Sequence, residues 1–299
     1  MLDSTTHDTA TRFESPRIHD TNPYGGSVCA LARRPAADGS LIKADGAGQA
    51  RPNRSDSVRP PTPMGATQTN LLLAALHETD RARIRPHLRL VCLPAGHVIC
   101  GANCKQEMSY FPVSAVISMH CLTAAGASTE LAVIGNEGAT GLCALISEVN
   151  TPHQWVVQAA GQAFAVRTSA LKAEFYCGGG LQNLLLRYMQ VLLTQVAQIA
   201  VCNRHHSVEQ QMCRRLLSSL DRSLTPQLPF THESLANMLG VRREGISIAA
   251  SKLQRAGVIN YRRGQITVMD RRKLEQLTCE CYAVIKPTAR SLVAMRMVG

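Results

Sequence analysis

The residues whose types and spacing suggest chemistry lie near the C-terminus. Arg242, Arg243, Glu244, Ser247, Ile248, Ser251 and Arg255 are followed by Arg262-Arg263-Gly264. On a helix at about 100° per residue, Glu244, Ile248, Ser251 and Arg255 share one stripe, flanked by Arg243 and Ser247. The stripe is polar and basic, and its second half is built from small residues. A helix docked in the DNA major groove needs such a stripe, because base edges pair only with side chains that come close. Arg243, Glu244, Ser247 and Ile248 are therefore the candidate base contacts. Arg242, Ser251, Arg255, Arg262 and Arg263 are the candidate phosphate contacts, the last two at the tip of a hairpin.

The flanking sequence holds this stripe in place. Thr231 reads as an N-cap with Glu233 in the first turn. Leu235, Met238 and Leu239 mark one buried face, and Gly240 supplies the stop between two helices. Ile246, Ala249, Ala250 and Leu253 form the inner face of the second helix, which Gly257 closes. Val258–Asn260 and Gln265–Val268 read as the strands of the hairpin. Charge agrees with a polyanion partner. From Asn203 onward there are 16 Lys/Arg against 7 Asp/Glu, whereas residues 1–65 and 66–202 each carry 8 against 7.

The 299 residues suit about two domains plus a tail. Residues 1–65 hold 7 of the 14 prolines and no core-forming periodicity, so a disordered extension is expected. MLDSTTHDTATRFESP lacks a basic stretch followed by an apolar run, so no signal peptide is expected. Thr67–Leu76 reads as a short helix. Seven short strands follow, between Leu90 and Arg167, with turn signals every 8–12 residues, which argues for an all-β sandwich or barrel. In Leu181–Cys202, the residues Leu181, Leu185, Tyr188, Leu192, Gln195, Ile199 and Cys202 step by 4,3,4,3,4,3. That pattern reads as an a/d seam packing on a second copy, with Leu184, Val191 and Val196 turned to the β region. Gln182, Asn183, Arg187, Gln190, Thr194, Gln195 and Gln198 interrupt it too often for a membrane span. Asn203–His206 reads as a hinge, Ser207 with Gln210 as a capping box for Val208–Arg222, and Arg272–Tyr282 as a last helix. The tail from Lys286 to Gly299 is basic.

In this order, the elements resemble the Crp/Fnr superfamily of bacterial transcription regulators over roughly residues 68–285. The resemblance is carried by LANMLGVRREGISIAASKLQRAGVI and RRGQITVMD, and more weakly by LPAGHVI, Tyr110–Ser118 and IGNEGATGL. It implies an α+β architecture of N-terminal β-roll (a cyclic-nucleotide-binding-like jelly roll), long dimerisation helix and C-terminal winged helix-turn-helix. The corresponding segments are 1–65 (extension), 66–177 (β-roll effector domain), 178–203 (dimerisation helix), 204–285 (DNA-binding domain) and 286–299 (tail). It further implies a cytoplasmic homodimer on palindromic double-stranded DNA, with RNA polymerase and a small-molecule effector as candidate partners and no membrane. Arg243 and Glu244 fall where the family touches base edges. Ile248 stands where a second arginine is frequent, so the target differs from the typical one.

Family members that bind cyclic nucleotide use Gly-Glu for the ribose and Arg-Ser or Arg-Thr for the phosphate. Here Gly138, Ala139 and Thr140, with His153 and Gln154, fall in those stretches. The pocket is thus degenerate, and control by cyclic AMP is not expected. The iron–sulfur members carry clustered N-terminal cysteines, while residues 1–91 contain only Cys29. Cys279-x-Cys281 with His205-His206 or Cys202 invites a metal reading, weakened because positions i and i+2 of a helix face apart. No metal and no cofactor are expected. No catalytic triad, phosphate loop or carboxylate pair stands out, so no enzyme activity is expected. The rival reading is a signalling or protein-interaction β module whose basic C-terminal domain does not read specific DNA.

Overall fold

A computed structural model of the chain describes residues 70–147, 149–223 and 225–286. The expected N-terminal extension 1–65 and the tail beyond Lys286 lie outside the described residues. Asn70 opens helix α1 (Leu71–Ala75), its side chain accepting from the backbone of Leu72 and Leu73. Helix α2 (Glu78–Ile84) and a 3-10 turn lead into the strands.

All seven expected strands form, each with bounds within a few residues of the expectation. They are β1 (Arg89–Leu93), β2 (Val98–Cys100), β3 (Met108–Pro112), β4 (Val116–Leu122), β5 (Ser128–Ile134), β6 (His153–Ala159) and β7 (Gly161–Arg167). They pair antiparallel as two sheets, β1-β7-β3 and β2-β6-β4-β5. Helix α3 (Cys143–Ile146) lies between β5 and β6, and α4 (Thr168–Tyr176) follows β7. Ile117, Met119, Ile134, Trp155 and Val157 form one apolar cluster, and Phe111, Leu142, Val166, Leu171 and Phe175 a second.

Helix α5 runs Gly179–His205, so most of the expected hinge is helical and only His206 and Ser207 separate it from the next helix. Its heptad stripe corrects an expectation. Leu181, Leu185, Tyr188, Leu192, Gln195 and Ile199 are buried inside the chain itself. Leu181, Leu185 and Tyr188 complete the second cluster, Leu192 joins the first, and Gln195 Nε2 donates to Val133 O at 3.4 Å. A 3.5-residue period fits a β-sheet surface as well as a partner helix, and here the sheet takes it. Leu184, Val191 and Val196 pack beside the same clusters, as expected. The helix is long and apolar enough to cross a membrane by length and composition, but its most apolar stripe is already covered.

Helix α6 (Val208–Leu220) starts at the expected Ser207–Gln210 capping box. Arg215 on this helix and Arg222 just past its end, seven residues apart, bind two glutamates seven residues apart at and beyond β5. Arg215 Nη2 donates to Glu130 Oε2 at 2.7 Å, and Nε lies 2.6 Å from Oε1 without hydrogen-bond alignment. The two side chains are 0% and 3% exposed. Gln158 Oε1 accepts from Arg215 Nη2 at 2.8 Å, Ser118 Oγ donates to Glu130 at 2.9 Å, and the Arg215 guanidinium lies over the Phe230 ring. Arg222 Nη2 sits 2.6 Å from Glu137 Oε1.

Strand β8 (Gln227–Leu228), which the sequence pattern did not announce, adds to the hairpin strands β9 (Ile259–Arg262) and β10 (Gln265–Val268) in the order β8-β10-β9. Helices α7 (His232–Leu239) and α8 (Arg243–Arg255) precede the hairpin. Helix α9 (Arg271–Leu277) is shorter than expected, because Thr278 is extended at φ −78°, ψ 165° and helix resumes only at residues 281–286.

A buried ion pair stripped of one partner leaves an uncompensated charge, so Glu130→Ala is expected to cost about 3–5 kcal/mol. Urea denaturation measures it. The double change Glu130→Leu with Arg215→Met should recover most of that loss, and a double variant as unstable as the single one would show that the pair itself is not the cause.

Candidate nucleic-acid interface

The helix pair is built as its sequence demands. Thr231 Oγ1 accepts from Ser234 N at 3.0 Å, and the reciprocal bond from Thr231 N goes to Ser234 Oγ at 2.9 Å. Ser234 therefore completes the capping box, with Glu233 in the first turn. Gly240 sits in the left-handed region at φ 66°, where a side chain would be strained and would also press on Thr129 of β5. Leu235, Leu239, Ile246, Ala249, Ala250 and Leu253 are buried together with Met212, Leu216, Phe230 and Ile266.

With Ile246, Ala249, Ala250 and Leu253 inward, the opposite side of α8 is open. Arg242 is its N-cap, and Arg242, Arg243, Glu244, Ser251 and Arg255 are exposed. Ile248 is 60% exposed, an unusual place for a large apolar side chain unless an apolar group meets it. Arg255 Nε donates to Ser251 O at 3.4 Å, holding the side chain along the helix. Arg262 ends β9, and Arg263 at φ 49° with Gly264 at φ 76° makes the two-residue turn favoured in hairpins. Both arginines are exposed or nearly so at the hairpin tip. All the base-contact and phosphate-contact candidates except Ser247 are thus exposed.

Ser247 is half-buried and engaged within the chain. Its hydroxyl donates to Arg243 O at 3.1 Å, which leaves the oxygen to accept from His232 Nδ1 at 3.0 Å. His232 carries no signal in the sequence pattern. Its ring stacks on Tyr261 at 4.2 Å, so it joins α7, α8 and β9. Burial, and then the charge of Arg243, pull its pKa below the ordinary histidine value, so the ring is neutral near neutral pH. Gln254 Oε1 accepts from Tyr261 N at 3.0 Å and fixes the hairpin against α8. A lone histidine has no periodicity to read, and only the folded contacts expose this role.

The five residues of the expected degenerate effector pocket fall in two places, after β5 and at the start of β6. Gly138, Ala139 and Thr140 are buried beneath α5. A Cβ on Gly138 would overlap the Tyr188 hydroxyl. Asn70 Nδ2 donates to Gly138 O at 2.8 Å, and Thr140 Oγ1 accepts from Tyr110 N at 3.0 Å. His153 and Gln154 open β6, opposite Cys121 and His120 of β4. Burial lowers the His153 pKa, so it does not supply a cation. A cavity of about 350 Å3 is lined instead by Lys105, Gln106, Arg167, Thr168 and Lys172 among others, and one of about 260 Å3 by Glu137, Ser218, Asp221, Arg222 and Tyr282 among others. None of the five residues lines either. Leu142 and Trp155 belong to two different apolar clusters and fill the interior on their respective sides.

The comparisons with known proteins agree with this geometry. Residues 210–277 match the family described as the Crp-like helix-turn-helix domain. A search of curated proteins finds no match. Among solved structures, a Eubacterium rectale protein assigned to the Crp/Fnr family of transcriptional regulators has 20% identity and a TM-score of 0.58, over 69% of this chain and 96% of that one. FixK2 from Bradyrhizobium japonicum has 15% identity and a TM-score of 0.53, over 64% and 98%. A Crp/Fnr family regulator from Thermus thermophilus has 18% identity and a TM-score of 0.51, over 63% and 97%. The Eubacterium rectale and Thermus thermophilus proteins are described as transcriptional regulators. Residues 210–277 thus match a Crp-like helix-turn-helix domain, and the chain shares the fold of solved structures assigned to the Crp/Fnr family.

Proposed function

We propose that the chain is a cytoplasmic, sequence-specific DNA-binding transcription regulator that acts as a homodimer on a palindromic site and is not switched by cyclic AMP. The observation that carries this reading is the open face of α8, where Arg243, Glu244 and Ile248 continue toward Ser251 and Arg255 beside the Arg262–Arg263 hairpin tip. Arg243 suits guanine O6/N7, Glu244 suits cytosine N4, and Ile248 suits a thymine methyl. Ser247 contributes through its contact with His232, which orients the helix. The hairpin arginines suit phosphate.

The second copy is assigned to the side of α5 that the chain leaves open. Leu186, Gln190, Leu193, Ala197, Ala200 and Arg204 also step by 4,3,4,3,4, and Leu186, Leu193 and the adjacent Val201 are exposed. Ala197 and Ala200 permit close approach of two helices. The face is apolar in its middle and charged at its end, as a soluble two-helix seam requires.

Against a cyclic nucleotide stand the packing of Gly138 on Tyr188, the absence of a carboxylate at Ala139 and the neutral His153. Burying a phosphate without a cationic partner costs several kcal/mol.

Selection from a random DNA pool should return a palindrome with half-sites about one helical turn apart. Arg243→Ala and Glu244→Ala should each relax one base pair at about 1–3 kcal/mol, whereas Arg262→Ala should weaken all sequences and flatten the salt slope by about one. Uniform losses from all three would place the reading face elsewhere. Leu193→Glu should leave a folded monomer that no longer binds the palindrome, while Leu185→Glu, aimed into the core, should unfold the chain. Light scattering with circular dichroism separates these, and a Leu193→Glu dimer would overturn the assigned seam. Calorimetry with cyclic AMP should show no micromolar binding, and a micromolar signal would restore nucleotide control.

A further inference from the structure

Four side chains that the DNA-binding surface does not use meet where the long helix ends. Cys202 lies in the last turn of α5 and His206 is its C-cap, one helical turn on. Cys279 lies in the break after α9, and Cys281 opens the helical turn that follows. Because the chain is extended at Thr278, Cys279 and Cys281 are not two positions of one helix and converge. The objection to a Cys-x-Cys pair as ligands therefore does not hold here. The three sulfurs and one ring nitrogen all lie within 4.8 Å of one another.

We propose that Cys202, His206, Cys279 and Cys281 form a tetrahedral Cys3His site for a single divalent ion of the zinc class. A tetrahedron with zinc–sulfur bonds of about 2.3 Å has sulfur–sulfur edges of about 3.8 Å and sulfur–nitrogen edges of about 3.5 Å. Cys202 Sγ and Cys279 Sγ are 3.6 Å apart, and Cys281 Sγ is 3.4 Å from His206 Nδ1. Three thiolates and an imidazole select a soft or borderline tetrahedral ion over magnesium or calcium. Four ligand atoms this close enclose one ion and leave no space for bridging sulfides.

The surroundings carry the same chemistry. His206 Nε2 lies 3.1 Å from Glu280 Oε1, the carboxylate partner that fixes the ring and frees Nδ1 to ligate. Gln198 Nε2 donates to Cys281 Sγ at 3.1 Å, and Arg214 Nε donates to Cys202 Sγ at 3.2 Å. Arg214 is 3% exposed and has no carboxylate within ion-pair distance among the described residues. A buried guanidinium needs an anion. Three thiolates around a divalent cation carry a net charge of −1, which Arg214 offsets. The sulfurs are buried and form a cluster apart from the main cores, with access from the His206 side, where Glu280 is exposed. An ion here would tie the end of α5 to the segment that follows the hairpin.

The test uses the full chain, reduced, stripped with a chelator and titrated with zinc, and with cobalt as a spectroscopic probe. One equivalent should bind, with thiolate-to-cobalt charge transfer and tetrahedral d–d absorption, and zinc should raise the melting temperature. Cys281→Ser and His206→Ala should weaken zinc by more than the about 10–100-fold expected of the outer-shell change Glu280→Gln. Cys92→Ser, at an exposed thiol on β1, should change nothing. If the buried serine variant does not fold, His206→Ala and Glu280→Gln on the accessible side still decide. Failure of the folded, reduced chain to take up stoichiometric metal, uptake indifferent to His206 and Glu280, or a Cys202–Cys279 disulfide in the isolated protein would each overturn the site. None of these readouts involves DNA, so they succeed or fail independently of the proposed function.

Discussion

The structure turns on the buried contact between Arg215 and Glu130. It joins α6, which begins the C-terminal half, to β5 of the N-terminal sheet. Two charges taken from water are stable together only if their remaining donors and acceptors are also met. Ser118, Gln158, Ser219 and the Phe230 ring meet most of them, with Arg215 Nε left without an aligned acceptor, and they come from β4, β6, α6 and the stretch before α7. Any rearrangement of α6 against the sheet breaks several of these at once. Arg222 with Glu137 repeats the contact one heptad further on, so the register of α6 on this edge is fixed at two points. The open face of α8 inherits its position from that register through the shared core of Met212, Leu216, Ile246 and Leu253.

The long helix is under a second constraint, which the sequence pattern disguises. A heptad stripe reports that one side of a helix is apolar, and it does not report what covers it. Here the stripe richer in large apolar side chains, Leu181 to Ile199, lies on the two β-core clusters. What remains exposed is broken by Gln190 and Arg204 and is poorer in large apolar side chains. That division is physically reasonable. The intrachain contact forms once and is never released, so it takes the larger apolar area, whereas a surface exposed before assembly is more soluble when partly polar.

Local signals were legible because local physics makes them. Gly240, the Ser207–Gln210 capping box, the turn signals between β1 and β7 and the Arg263-Gly264 turn each follow from turn and cap geometries that few residue types favour. The exposed side of α8 was legible because helical periodicity sorts inward from outward positions without tertiary information. The rest depended on contacts distant in sequence. Nothing at position 232 announces that its imidazole will stack on Tyr261, and nothing in β8 distinguishes two residues that pair only because β10 is present. The break at Thr278 was also invisible, because Arg272–Tyr282 reads as one continuous helix.

The same contacts limit how such a chain can be switched. Only His206 and Ser207 separate α5 from α6, and a two-residue joint allows rotation only if the surfaces on both sides let go. Releasing the Arg215–Glu130 pair without a replacement partner costs about 3–5 kcal/mol. A ligand can shift an equilibrium only by its difference in affinity for the two states. An effector that reoriented α8 relative to the sheet would therefore have to supply at least that difference, roughly a thousandfold preference for one state. The basic cleft beside α4 is lined by no residue of α6, so a small molecule there has no direct contact through which to deliver it. A change at the end of α5 does, because Gln198, Cys202 and Arg214 already couple that end to α6 and to the segment beyond α9. A change at this joint therefore reaches α6, and through the shared core α8, more directly than one in the β interior.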